Sequence, residues 1–173
     1  LARNKTINGV ASLYVEVIRG IPLLVQLFYI YFGLGRMVQL PPITSAVIAM
    51  GICYGAYMGE IFRAGIQSIP KGQTEAARSL GMTKSEAMIH VILPQAIRVI
   101  LPPIGNEFVA LLKDSSLVSI LAVADLLRRG REFASETFTY FETYTVVALV
   151  YLVMTLFFSK LISVMEERIS AGK

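Results

Sequence analysis

The run TYTVVALVYLVMTLFFS, residues 143–159, carries no charge for seventeen residues, and beyond Lys160 the apolar pattern continues through Ile162. A helix needs about 20 mostly apolar residues to cross a hydrocarbon core of roughly 30 Å. A second run, ITSAVIAMGICYGAYM at residues 43–58, is uncharged for sixteen residues, and the uncharged stretch reaches back to Val38. Both attain spanning length once their ends are counted. The totals agree: 55% of residues are hydrophobic and 16% charged, against roughly 45–50% and about 25% in a soluble domain. A soluble bundle of very buried helices is the alternative. It fits poorly, because too little polar surface remains to cover it.

Working outward, the pattern predicts an all-α bundle of about four spanning units. The first covers about 10–34, amphipathic at its start (Glu16, Arg19) and apolar at its end. Gly33, Gly35 and Pro41-Pro42 mark the turn after it. The second covers about 43–65, and residues 67–83 form a polar connection. The third covers about 84–112, with Pro94 and Pro102-Pro103 inside it. Residues 113–138 are mixed in character. The fourth covers about 140–165 and ends in a charged tail. The chain starts at Leu1 without an initiator Met, and a further segment in front is expected.

Four spans put both ends on one side. Basic residues near span ends favour the cytoplasm. Arg3, Lys5, Lys71, Arg78, Lys84, Lys160, Arg168 and Lys173 then share that side. Arg128, Arg129 and Arg131 oppose this reading, offset by Asp125, Glu132, Glu136 and Glu142. The net charge of +4 reads as cytoplasmic loops rather than a nucleic-acid surface, because the basic residues lie between apolar runs. Cys53 is the single cysteine, so no internal disulfide forms.

Within the second unit, Gly51, Gly55 and Gly59 repeat every four residues and allow a close backbone approach, inside the subunit or between subunits. Glu60 and Arg63 are three apart and suit an ion pair at the membrane interface; the sharper alternative is a polar group on a substrate path. His90, the lone histidine, reads as an interface residue, and one His with one Cys makes no metal set. Phe28, Tyr29, Tyr31, Phe32, Phe157 and Phe158 read as lipid contacts rather than a base-stacking surface.

The polar connection is the most informative stretch. Between Pro70 and Gly81 it reads PKGQTEAARSLG. Helix formers sit between two glycines, with Glu75 early and Arg78 late, as the helix dipole favours. Gly81 suits a left-handed cap, and Thr83-Lys84-Ser85-Glu86 is a capping box for the next helix. A short ordered helix therefore lies between two spans. It is either a mere loop or a docking element for another protein.

Here a family resemblance enters. Glu75, Ala76, Ala77 and Gly81, followed by Val91, Leu93 and Pro94, resemble the EAA motif of membrane subunits of ATP-binding-cassette (ABC) importers, with Val91 where Ile is usual. Residues 14–26 (YVEVIRGIPLLVQ), residues 57–63 with 69–73, and residues 112–117 (LKDSSL) resemble three further blocks of the polar amino-acid permease branch. Together they cover most of the chain in order. The resemblance implies the type I importer permease fold over residues 1–173, with one more helix usual in front. It implies that residues 72–81 are a cytoplasmic coupling helix, in which Gln73, Glu75, Ala76, Ala77 and Gly81 seat in a groove of an ATPase subunit. It also implies a multi-pass place in the cytoplasmic membrane of a prokaryote, with the coupling helix and C-terminus inside. The implied partners are two ATP-binding subunits, a second permease subunit and an extracytoplasmic amino-acid-binding protein.

Pro102-Pro103 remove backbone donors, and a helix disturbed there is expected to border a cavity. An amino acid brings a carboxylate and an ammonium. Lys113 and Asp114 could meet one each, with backbone N–H groups around Ser115, Ser116 and Leu117 adding to carboxylate binding. Asn106 follows the prolines, and Glu107 with Glu60 would favour a cationic side chain. The plain alternative is that Lys113 and Asp114 pair with each other or with Glu107. No GxxxxGK[ST] phosphate loop occurs, so this chain is expected to bind no cofactor, with ATP and Mg held by the partner. Two other classes stay in view: a related importer for another small solute, and an intramembrane hydrolase built from His90 with Ser115 or Ser116.

Overall fold

The computed structural model describes residues 5–171, without the side chains of residues 5, 36 and 169–171. Arg3 and Lys173 lie outside the described residues. No strand occurs among them. Among the described residues, three helices are long and apolar enough to cross a bilayer: Pro42–Gln67, Lys84–Leu121 and Tyr140–Arg168, with a fourth if the bent pair Thr6–Gly20 and Leu23–Leu34 is one span.

The first unit differs from its expected form. Helix α1 (Lys5–Gly20) stops at Gly20, and α2 starts at Leu23 and ends at Phe28. The chain turns by 102° between them. Pro22 brings no backbone N–H and fixes its own φ near −65°, so a helical donor is missing where the chain turns. A π-helical turn, Tyr29–Leu34, and a short α3 (Gly35–Val38) complete the unit. Pro42 then opens α4 (Pro42–Gln67), whose 26 residues extend about 39 Å at 1.5 Å each.

The polar connection folds as α5 (Lys71–Ser79). Gly81 takes φ +87°, which a residue with a Cβ resists. Its N–H donates to the Arg78 carbonyl (3.1 Å) and that of Met82 to Ala77 (3.2 Å), the paired bonds of a Schellman cap. The capping box is also present. The Glu86 N–H donates to Thr83 Oγ1 (3.2 Å), and the Thr83 N–H to Glu86 Oε2 (2.7 Å). It opens α6 (Lys84–Ala87), which passes through a π turn (Met88–Ile92) into α7 (Leu93–Asp114).

Contrary to expectation, α7 runs through Pro102 and Pro103 without a break. Membrane helices tolerate missing donors where neighbouring helices pack on them, and α7 lies between α4 and α9 (Tyr140–Ala171). It passes directly into a 3₁₀ helix, Ser115–Leu121. The Ser115 N–H donates back into α7, to the Leu111 and Lys113 carbonyls, and is not free for a ligand. The mixed stretch ends in an amphipathic helix, α8 (Leu126–Thr137), capped by Asp125, which accepts from the Arg128 N–H at 2.9 Å.

Matched positions show that α4, α7 and α9 alternate in direction. Gly65 of α4 faces Ile100 of α7, while Tyr54 faces Asp114. Gly105 of α7 faces Ile162 of α9, while Phe108 meets Phe158 edge-on at 5.1 Å. The Gly65 crossing is tight: a Cβ there would lie 2.2 Å from Ile100 Cγ1. An apolar core joins Leu27, Ile30, Ala46, Ala49, Val118 and Leu121. Gly51, Gly55 and Gly59 are exposed on α4; Gly55 lies beside the Tyr14 hydroxyl, which donates to the Ile52 carbonyl at 2.8 Å, and Gly59 lines a groove between α1 and α4. On α9, Val153, Leu156 and Phe157 are each at least 60% exposed, an outward apolar surface suited to lipid or a membrane partner.

Candidate functional site

On α7, Glu107, Ala110 and Asp114 recur at intervals of three and four, which places them on one helix face. That face meets Cys53, Tyr54 and Tyr57 of α4 and the bend at Arg19–Leu23. Between them lies a cavity of about 460 Å³. The Tyr54 hydroxyl donates to Asp114 Oδ2 at 2.9 Å, fixing the carboxylate that faces the cavity. The Arg19 guanidinium lies over the Tyr57 ring, 5.1 Å from its centroid, a cation–π contact. The wall thus carries two carboxylates and one guanidinium.

Two of the expected substrate residues, Glu107 and Asp114, come together here. The others lie elsewhere. Asn106 and Lys113 are exposed and do not line the cavity. Ser115 donates to the Leu112 carbonyl at 2.7 Å. Leu117 packs on the apolar core, and Ser116 lies in the 3₁₀ helix. Glu60 sits in an adjoining groove between α1 and α4 with Glu16 and Arg63, and Arg19 borders both this groove and the cavity. Arg63 Nε donates to Glu60 Oε2 at 2.8 Å, and Arg63 Nη1 to Gln67 Oε1 at 2.6 Å. No ion pair joins Lys113 to Asp114 or Glu107 among the described residues.

Sequence reasoning missed Arg19, Cys53, Tyr54, Tyr57 and the bend itself. One signal was available: a charged residue inside an apolar unit, directly before Gly20-Ile21-Pro22, is costly unless it faces a cavity. The tyrosines gave none, since their roles depend on contacts with residues distant in sequence, Asp114 for Tyr54 and Arg19 for Tyr57.

On α5, only Ala77 is buried; Gln73, Glu75, Ala76 and Gly81 are exposed, and Leu80 is 82% exposed. A side-chain hydrogen bond links α5 to α7, Gln95 Nε2 donating to Gln73 Oε1 at 3.3 Å. His90 and Ser115 lie at opposite ends of the α6–α7 helix, about 37 Å apart at 1.5 Å per residue. They do not form a nucleophile–base pair.

The comparisons with known proteins agree with this architecture. A probable amino-acid permease of Bacillus subtilis is 42% identical, over 98% of this chain and 79% of its own length. The glutamine transport system permease protein of Escherichia coli is 41% identical, over 93% and 75%. A crystal structure of an amino acid ABC transporter with histidines matches at TM-score 0.92 and 53% identity, covering 96% of this chain and 78% of that one. The family described as the binding-protein-dependent transport system inner membrane component matches residues 1–171. An all-α bundle with long apolar helices and a capped helix between two of them is thus accounted for: the chain belongs to that family, as a transmembrane permease of the amino-acid ABC type.

Proposed function

We propose that this chain moves a polar amino acid, with a basic one favoured, through the cavity between the Arg19–Leu23 bend, α4 and α7, driven by ATP hydrolysed in a partner subunit. The observation that carries this reading is the charge of the cavity wall. Glu107 and Asp114 against Arg19 leave one net negative charge. Arg19 suits the carboxylate of an amino acid. The two carboxylates suit its ammonium and a cationic side chain. A neutral side chain such as that of glutamine would leave one carboxylate without a cation.

The permease fold supports the remaining roles. Exposed α5, with Leu80 outward, is the coupling helix, and Gln73, Glu75, Ala76, Ala77 and Gly81 dock it on the ATP-binding subunit. The Schellman cap and the capping box hold α5 firmly between α4 and α7, so a push on α5 moves both helices that wall the cavity. Lys71, Arg78, Lys84, Lys160 and Arg168 cluster at one end of the antiparallel α4–α7–α9 set, which favours that end as cytoplasmic. At the other end, Arg128 and Arg129 pair with Glu132, and Arg131 donates to the Ser119 carbonyl. A second permease subunit and an external amino-acid-binding protein complete the importer. ATP and Mg belong to the ATP-binding subunits.

The test is uptake by proteoliposomes holding the full complex. ATP-dependent accumulation of labelled L-arginine, L-lysine or L-histidine ahead of neutral amino acids is expected. Uptake of sugars or inorganic ions without any amino acid would overturn the reading.

A further inference from the structure

The bend that lines the cavity has a backbone shortfall. In a continuing helix the Ile18 carbonyl would accept from the N–H of residue 22, but Pro22 has none. The Ile21 carbonyl would accept from Val25, yet the Val25 N–H donates to the Pro22 carbonyl at 2.9 Å, as does that of Gln26 at 3.2 Å. The carbonyls of Ile18 and Ile21 thus lose their usual helical partners at the bend. The Gln26 side chain reaches both. Its Nε2 lies 2.8 Å from the Ile18 oxygen and 2.8 Å from the Ile21 oxygen. A primary amide has two N–H donors, and both are used. Cys53, which lines the cavity, places its Sγ 3.7 Å from the same nitrogen.

Gln26 is 7% exposed, and its Oε1 has no partner among the described residues. The amide nevertheless has a fixed orientation, since the flipped form would set its oxygen against two carbonyl oxygens. Gln26 does not itself line the cavity, whereas Arg19, Gly20, Ile21, Pro22 and Leu23 do. We propose that Gln26 is a positioning residue of the substrate cavity: its side-chain amide replaces the backbone N–H that Pro22 lacks, and so holds the Arg19–Leu23 bend in its turned form beside Cys53 of α4. The inference rests on reading that cavity as the amino-acid site.

The experiment is a double-mutant cycle on the full transporter complex, reading equilibrium binding of labelled L-arginine. Gln26→Met keeps the length of the side chain and removes both donors. It should weaken binding by about tenfold or more, the scale for leaving buried carbonyls unpaired. Pro22→Ala restores a backbone N–H that can extend α1 and reach Ile18. In that background Gln26→Met should cost clearly less, because a donor is present without Gln26. A packing role alone would give the same cost in both backgrounds, and that result overturns the proposal. Should Gln26→Met fail to assemble, the comparison passes to assembly. Recovery in the Gln26→Met/Pro22→Ala double variant supports the inference, and equal failure overturns it. Asp114→Asn separates the two levels. If it leaves arginine binding intact, the cavity reading fails. If it weakens binding while Gln26→Met does not, only the role of Gln26 fails.

Discussion

Gly65→Ala tests the crossing that joins the cavity walls to the coupling helix. Gly65 is buried two residues before the end of α4. An added Cβ would lie 2.2 Å from Ile100 Cγ1 and 2.9 Å from Cδ1. The first distance is more than 1 Å inside ordinary contact. Ile100 is 2% exposed, and its branched Cβ keeps χ1 stiff, so its Cγ1 cannot swing aside at low cost. The helices must part instead, and overpacking of this kind costs about 1–3 kcal/mol. Ile100→Ala removes both clashing atoms and leaves its Cβ at 3.6 Å, an ordinary contact. Alone, it should cost about 2–5 kcal/mol through the cavity it leaves. The double variant should cost less than the two single changes combined, with a favourable coupling of about 1–3 kcal/mol. SDS titration of the purified permease, followed by far-ultraviolet circular dichroism, reads these values. Parental stability in Gly65→Ala, or simple additivity in the double variant, would refute the close crossing.

Gly81→Val should leave the permease assembled but impair ATP-driven uptake, since a β-branched residue at φ +87° strains the cap by about 1–2 kcal/mol. Full uptake with parental coupling to ATP hydrolysis would show that the cap does not matter. Lys113→Ala should leave the affinity of the complex for labelled L-arginine within about twofold, as surface changes away from a site usually do. A loss of tenfold or more would return Lys113 to the site.

The legible part of this fold is the part that the bilayer dictates. Residues 43–58 and 143–159 could be read because a spanning helix has no alternative to an uncharged surface. Thr83 with Glu86, and Gly81 after α5, could be read because caps act through neighbours in sequence. Proline was less decisive, as the two cases here show. Pro22 ends a helix whereas Pro102 and Pro103 do not, and the difference lies in their surroundings. A side chain, Gln26, satisfies the bent form at Pro22, whereas α4 and α9 clasp α7 on both sides. The candidate site divides in the same way. Glu107 and Asp114 share a face by local periodicity, but Tyr54 joins Asp114, and Arg19 meets Tyr57, only through the packing of distant segments.

The most direct measurement of the central claim is the affinity of the purified complex for labelled L-arginine when Glu107→Gln and Asp114→Asn neutralise the cavity wall. Each change should weaken arginine binding by about tenfold or more, the scale of a charge-assisted hydrogen bond, while L-glutamine binding changes less. Arginine affinity unchanged in the doubly neutral complex would contradict the account.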